Sequence, residues 1–236
     1  MKNALILMTR VPIPGKTKTR LETHLTPEQC ARLHACFLKD IYETSNAANA
    51  DVFVYFTPEK YRHKLTEILG NEAVLRPQSE GGLGDRMLNS IKECLGEGYD
   101  KCLLIGTDIP TVSAGMLNNS LELLEDNDIV IGPTIDGGYY LIGMRKAYNE
   151  VFDNTFYGVR SVFENTLQHI EKLGVSYSIA DKWYDIDTYE DIELMLEFYG
   201  AGASKLPYFT GRFLAEAGLL KNAAEGEYEE YGNSAE

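Results

Sequence analysis

The chain has no apolar run of about 18 residues, so nothing in it reads as a membrane-spanning helix. The N-terminus offers Lys2 and a short apolar run, Ala4–Met8, with no cleavage site behind it, which reads as a first strand rather than a signal peptide. Basic residues are scarce: 22 Lys and Arg stand against 36 Asp and Glu, a formal net charge of -14. That balance argues against a nucleic-acid backbone as partner. It leaves a nucleotide open, because a local basic loop with a divalent cation overcomes a distant acidic surface within about one Debye length. Cysteine is sparse too. Cys30, Cys36, Cys94 and Cys102 form no Cys-x-x-Cys pair and fall in predicted helices or a strand, so they read as reduced core thiols of a cytoplasmic protein.

What is present is an alternation of strand and helix. Residues 3–9, 51–56, 73–76, 101–106, 128–132, 139–144 and 175–180 read as strands. Helices are expected over 27–45, 58–69, 83–96, 113–124, 159–172 and about 188–199. Thr26-Pro27-Glu28 opens the first helix with an N-cap and a proline at the first helical position. Such an order predicts an α/β/α three-layer sandwich with a mostly parallel sheet and right-handed crossovers. Strand 139–144 follows its predecessor too closely for a helical crossover, so the sheet is expected to be mixed. Residues 1–200 show no linker or repeat and read as one domain. Residues 201–236 read as an extension with a short helix within 204–220, then an acidic tail carrying five glutamates after Lys221.

Five loops carry the chemistry. Lys101–Gly106 is a short buried strand that ends in Thr107 and Asp108, with Ile109-Pro110 closing it. A carboxylate at a strand's C-terminal end lies where open α/β sheets bind ligands, although alone it could simply cap the next helix. The loop Pro12–Leu21 gathers Lys16, Lys18 and Arg20 with two threonines, behind a stiff Pro14-Gly15 entry. It suits polyphosphate: Arg20 can bind bidentately, and the lysines act as point charges. A P-loop would need its first glycine at position 10, where Arg10 stands.

The segment Gln78–Met87 places Ser79, Gly81, Gly84 and Arg86 at the entry of helix 83–96, where a base or ribose could approach backbone amides; a plain helix-entry turn fits equally. Asp136-Gly137-Gly138-Tyr139 could be a mere hairpin turn or the wall of an acceptor pocket. In Trp183–Thr188, Asp185 and Asp187 alternate along an extended segment and so face one way. Thr188 and Asp191 are accounted for by a capping box. Added to Asp108, these two carboxylates make an oxygen-rich site for a hard divalent cation.

These motifs occur in a recognisable order: Pro-Gly-Lys-Thr-Lys-Thr-Arg-Leu at 14–21, Gly-Thr-Asp-Ile-Pro at 106–110, Asp-Gly-Gly-Tyr-Tyr at 136–140 and Asp-Ile-Asp-Thr at 185–188. Over residues 1–200 the chain resembles the nucleotide-diphospho-sugar transferase superfamily, the GT-A fold. More narrowly, it is similar to a bacterial glycosyltransferase-like family related to 2-phospho-lactate guanylyltransferase. The resemblance implies a transferase with a nucleotide donor and a small-molecule acceptor. It implies Mg2+ or Mn2+ held by Asp108 and Asp187, with Asp185 beside them. Pro14, Gly15, Lys16, Lys18, Arg20, Ser79, Gly81, Gly84, Arg86 and Thr107 would face the nucleotide, and Asp136, Gly137, Gly138 and Tyr139 the acceptor. Lys16, Arg20, Asp108 and Asp136 would carry catalysis. Sugar-transferring members usually carry Asp-x-Asp at the central strand end, whereas Asp108 is followed by Ile109-Pro110. That departure and the basic first loop favour nucleotidyl transfer over glycosyl transfer, with a non-catalytic nucleotide binder as a third reading. Edge strands and the aromatic segment 152–157 leave room for a homodimer.

Overall fold

The computed structural model describes residues 1–153, 157, 161–199 and 206–220. Its centre is a seven-stranded sheet built from β1 (Asn3–Arg10), β2 (Asp51–Thr57), β3 (Leu75–Pro77), β4 (Lys101–Gly106), β5 (Ile129–Pro133), β6 (Tyr139–Met144) and β7 (Tyr177–Ile179). The spatial order is β3-β2-β1-β4-β6-β5-β7. All pairings are parallel except those of β6, which runs antiparallel to both β4 and β5. The short β5–β6 connection therefore makes the sheet mixed, as expected from sequence. Both edges are strands of only three residues, which limits exposed backbone.

Alternation along the strands divides the core. Ala4, Ile6 and Met8 of β1 join Met87, Leu88, Ile91 and Cys94 of α3 (Leu83–Gly96) and Ile170 of α5 (Val162–Leu173). Leu5 and Leu7 point the other way, to Ile41 of α1 (Pro27–Asn46) and to Leu117, Leu121 and Leu124 of α4 (Ala114–Asp126). Both sheet faces are thus covered, which is what parallel strands require. Several boundaries differ from the sequence reading, and the predicted strand 175–180 is formed only over Tyr177–Ile179. The predicted helix 58–69 is a 3-10 turn at 59–61 followed by α2 (Arg62–Leu69), because Pro58 leaves the chain extended before the first turn. The predicted strand 73–76 pairs two residues later, at Leu75–Pro77 against Val54–Phe56. Helix α5 is described from Val162, and residues 154–156 of the aromatic segment lie outside the described residues.

Helix α6 (Tyr189–Tyr199) starts with the expected box: Asp191 Oδ2 accepts from Thr188 N at 2.7 Å, and Asp191 N donates to Thr188 Oγ1 at 3.3 Å. A further helix, α7 (Tyr208–Glu216), falls within the predicted span and packs along α1. Its own N-cap is Pro207, which supplies no side-chain oxygen. The buried carboxylate of Asp40 in α1 takes that role, accepting from Phe209 N at 2.9 Å, Thr210 N at 2.8 Å and Thr210 Oγ1 at 2.6 Å. Asp40→Ala is expected to cost about 2 kcal/mol, since it removes a cap and leaves buried donors unpaired. Urea unfolding would show it as a lower midpoint.

Candidate functional site

The C-terminal ends of β1, β2 and β4 open into a cavity of about 710 Å³. Its wall carries Arg10, Lys16, Lys18, Arg20 and Arg86 against Asp108 and Asp187, so it is locally cationic in a chain whose net charge is -14. Thr107, Gly81, Gly82 and Leu83 complete the parts of the wall that the sequence had suggested. A second cavity, about 550 Å³, is lined by Asp136, Gly138, Tyr139, Tyr157, Val162, Met87 and Asp185. Arg20, Leu83 and Asp187 border both, so the two spaces adjoin along one seam.

The first loop is shaped before it binds anything. Lys16 N donates to Ile13 O at 3.0 Å across Pro14 and Gly15, and Gly15 has φ +69°, a type II turn with proline and glycine in their preferred places. Pro14 and Gly15 therefore form the turn and stand outside the cavity wall. Lys18 is the only non-glycine residue with positive φ among those described, at φ 50° and ψ 37°. That turn drives its side chain inward, where it is only 4% exposed. Its ammonium reaches Asp108 Oδ1 at 2.5 Å, Asp187 Oδ1 at 2.9 Å and Ile186 O at 2.5 Å. Ile186 N in turn donates to Asp108 O at 2.8 Å, which ties segment 185–187 to the end of β4.

Electrostatics follow from that arrangement. Burial opposes charge on both partners, yet their attraction outweighs it. Asp108 titrates below the ordinary carboxylate range and Lys18 above the ordinary amine range. Beneath the loop, His34 of α1 is buried and sits on Thr9 and Thr17. Thr9 Oγ1 donates to Arg10 O at 2.9 Å, so His34 Nε2 donates to Thr9 and Nδ1 accepts from the Thr17 hydroxyl. Burial first, and then Lys18 and Arg10, push its pKa down to about 4, which keeps that neutral tautomer. Thr107 Oγ1 donates to Thr9 Oγ1 at 2.9 Å, joining the first loop to the β4 end.

In the second cavity, Asp136 Oδ1 accepts from Thr134 Oγ1 at 2.5 Å and Gly138 N at 3.0 Å. The Asp-Gly-Gly segment is thus a hairpin turn as well as a cavity wall. Asp185 is raised to about 6 by burial, then by Asp136, Asp187 and Asp108. The folded state therefore holds its proton more tightly than the unfolded chain does. The stability this contributes is full below pH ~4 and lost as pH rises through about 6. Asp185→Asn is expected to be more stable than the parent by about 2 kcal/mol at pH 8 and equal to it at pH 4, read by urea unfolding at both.

Not every expected residue joins the site. The three carboxylates do not converge on one point: Asp108 and Asp187 meet through Lys18, whereas Asp185 lines only the second cavity. Among the described residues no group of three His, Cys, Asp or Glu side chains is placed to hold a metal. Gly84 is buried against Phe152, where a Cβ would lie 3.2 Å from Phe152 O, so this glycine serves helix packing. Ser79 accepts from Asn89 Nδ2 at 3.0 Å outside the cavity, and Gly137 supplies the positive φ of the hairpin. Sequence reading missed His34, Arg10, Thr9 and Gln78. Gln78 Nε2 bonds Thr9 O and Tyr55 O, both at 3.0 Å, pinning β1 to β2 at the cavity edge. The one signal for His34 was a lone imidazole on the apolar stripe Cys30, Leu33, Phe37, Ile41.

Comparison with known proteins gives the family and the fold. Residues 40–159 match the family DUF2064, described as "Uncharacterized protein conserved in bacteria". The 2-phospho-L-lactate guanylyltransferase of Methanothermobacter thermautotrophicus is 26% identical over 79% of this chain and 82% of its own length. That of Methanocaldococcus vulcanius is 27% identical over 80% and 82%. A provisionally named nucleotide-diphospho-sugar transferase from Desulfovibrio desulfuricans G20 superposes with a TM-score of 0.87 at 28% identity, over 93% of this chain and 97% of that one. A cytidylyltransferase from Leptospira borgpetersenii shares the fold, with a TM-score of 0.52 at 15% identity over 95% and 98%.

Proposed function

The chain belongs to the DUF2064 family and has the nucleotide-diphospho-sugar transferase fold, and from this premise we propose that it is a nucleotidyltransferase. It would move a nucleotidyl group from a nucleoside triphosphate to a small phosphorylated or carboxylate acceptor. The observation that carries the reading is the cationic first cavity, suited to a triphosphate, which adjoins a second cavity along a seam where Arg20 can meet an anionic acceptor oxygen. The guanylyltransferase relatives, matched over about four-fifths of the chain, support the same reaction class.

The first cavity would take the triphosphate. Lys16, Arg20 and Arg86 meet its phosphate oxygens, and Gly81 and Gly82 let the base or ribose approach the α3 entry. The acceptor would lie in the second cavity with its anionic oxygen at the seam. That oxygen attacks the α-phosphorus in line, the bond to the bridging oxygen breaks, and pyrophosphate leaves into the cationic first cavity. An ionised phosphate or carboxylate needs no base to remove a proton, so the chain's task is positioning and charge stabilisation. A divalent cation, Mg2+ or Mn2+, is tested by the oxygens themselves: Asp108 Oδ1, Asp187 Oδ1 and Ile186 O already surround one positive charge, the Lys18 ammonium. Two carboxylates and a carbonyl are a hard-cation donor set, so Asp108 and Asp187 would hold the ion. When bound it would neutralise charge on the donor's phosphates.

Glycosyl transfer from a nucleotide-diphospho-sugar is the second reading. Asp185, raised to about 6 in the second cavity, is a carboxyl suited to take a proton from a hydroxyl acceptor. Calorimetric titration with each nucleoside triphosphate and each common nucleotide sugar, with Mn2+ and again with chelator, separates the two. A triphosphate bound preferentially supports nucleotidyl transfer and names the base. Preference for a nucleotide sugar overturns it.

A further inference from the structure

The Lys18 ammonium is enclosed at the edge of the first cavity. It is held by three oxygens at 2.5–2.9 Å, the side chain is 4% exposed, and the left-handed backbone aims it at that point. The neighbouring cations behave otherwise: Lys16 and Arg20 are exposed, and Arg20 meets Asp187 only loosely, through NH1 at 3.4 Å from Oδ2. Lys18 is therefore a resident counter-ion for the pair Asp108 and Asp187. A divalent ion bound by the same two Oδ1 atoms at roughly 2.0–2.5 Å would overlap the ammonium.

We infer that Lys18 and a divalent cation are alternative occupants of one oxygen cage, and that entry of the cation releases Lys18 into the first cavity. The inference rests on the nucleotidyl-transfer reading for its purpose: the displaced ammonium becomes a further phosphate-binding charge beside Lys16 and Arg20. Charge balances at each stage. Two carboxylates with the ammonium sum to one negative charge. With the dication they sum to zero, and the single positive charge freed is handed to the triphosphate. Metal and donor then favour each other's binding, because each stabilises the state in which Lys18 has left the cage. Lys18 itself is a positioning residue in the closed cage, and the exchange makes it a substrate contact.

The test is metal binding without nucleotide. Free Mn2+ is followed by its electron paramagnetic resonance signal as protein is added, for the parent, Lys18→Met and Lys18→Gln, with thermal unfolding to check that each variant is folded. Removing the competing charge is expected to tighten Mn2+ binding at least tenfold. Equal or weaker binding by folded variants overturns the inference. A second readout uses the unaltered protein: acylation of Lys18 by an amine-reactive ester, mapped by mass spectrometry, should rise several-fold on adding Mn2+ alone. Unchanged protection at Mn2+ levels that saturate the protein overturns it equally. Neither arm involves a nucleotide, so failure of the transferase reading would appear separately, as absence of triphosphate binding in the parent.

Discussion

Replacing Asp108 with asparagine is expected to lower turnover by about a thousandfold, while nucleotide binding weakens far less. Asp108 is the single carboxylate at the end of the central strand, 46% open to the first cavity, and it stands opposite the cationic loop. Asparagine keeps the shape and can still accept from Lys18, so little of the loss should come from the fold. It removes the negative charge that sets the cage, leaving Asp187 as the only carboxylate facing the ammonium. Initial rates against triphosphate concentration check this. A drop in maximal rate with near-parental affinity places Asp108 in the chemistry, whereas a raised KM at an unchanged maximal rate would make it a binding residue only.

Arg20→Met is expected to reduce kcat/KM by about a hundredfold. Arg20 is 71% exposed and forms part of both cavity walls, with one long contact to Asp187. Truncating it strands no buried partner, so stability should stay within about 0.5 kcal/mol of the parent. The residue sits where donor and acceptor must meet, and its planar fork can span two phosphate oxygens at once. Arg20→Lys keeps the charge without the fork and should restore only part of the rate. Steady-state kinetics on the two variants, with urea unfolding as control, measure both effects.

The layers of the fold were legible because the strands carry uninterrupted apolar runs and the helices open on recognisable caps at Thr26 and Thr188. The mixed sheet followed from one short connection, 134–138. What was hidden depends on contacts between distant residues. Nothing in Lys-Thr-Lys-Thr-Arg says that Lys18 alone turns inward, because its left-handed conformation is stabilised by Asp108 and Asp187 from far along the chain. The same distance explains His34, which reads as core until Thr9 and Thr17 close over it. Gly84 misled in the opposite direction. A glycine at a helix entry beside other glycines looks like a ligand contact, but its missing side chain makes room for Phe152. Strand β3 begins two residues later than expected because a three-residue edge strand carries almost no periodicity.

The site's seam makes one outcome decisive. Each ribonucleoside triphosphate would be incubated with the protein, Mg2+ and a panel of small phosphorylated carboxylates, and pyrophosphate release followed alongside phosphorus NMR of the product. Nucleotidyl transfer predicts acceptor-dependent pyrophosphate, matched one for one by a new phosphoanhydride, and loss of both in Asp108→Asn. Absence of pyrophosphate with every triphosphate, together with nucleoside diphosphate released from a nucleotide sugar, would contradict it.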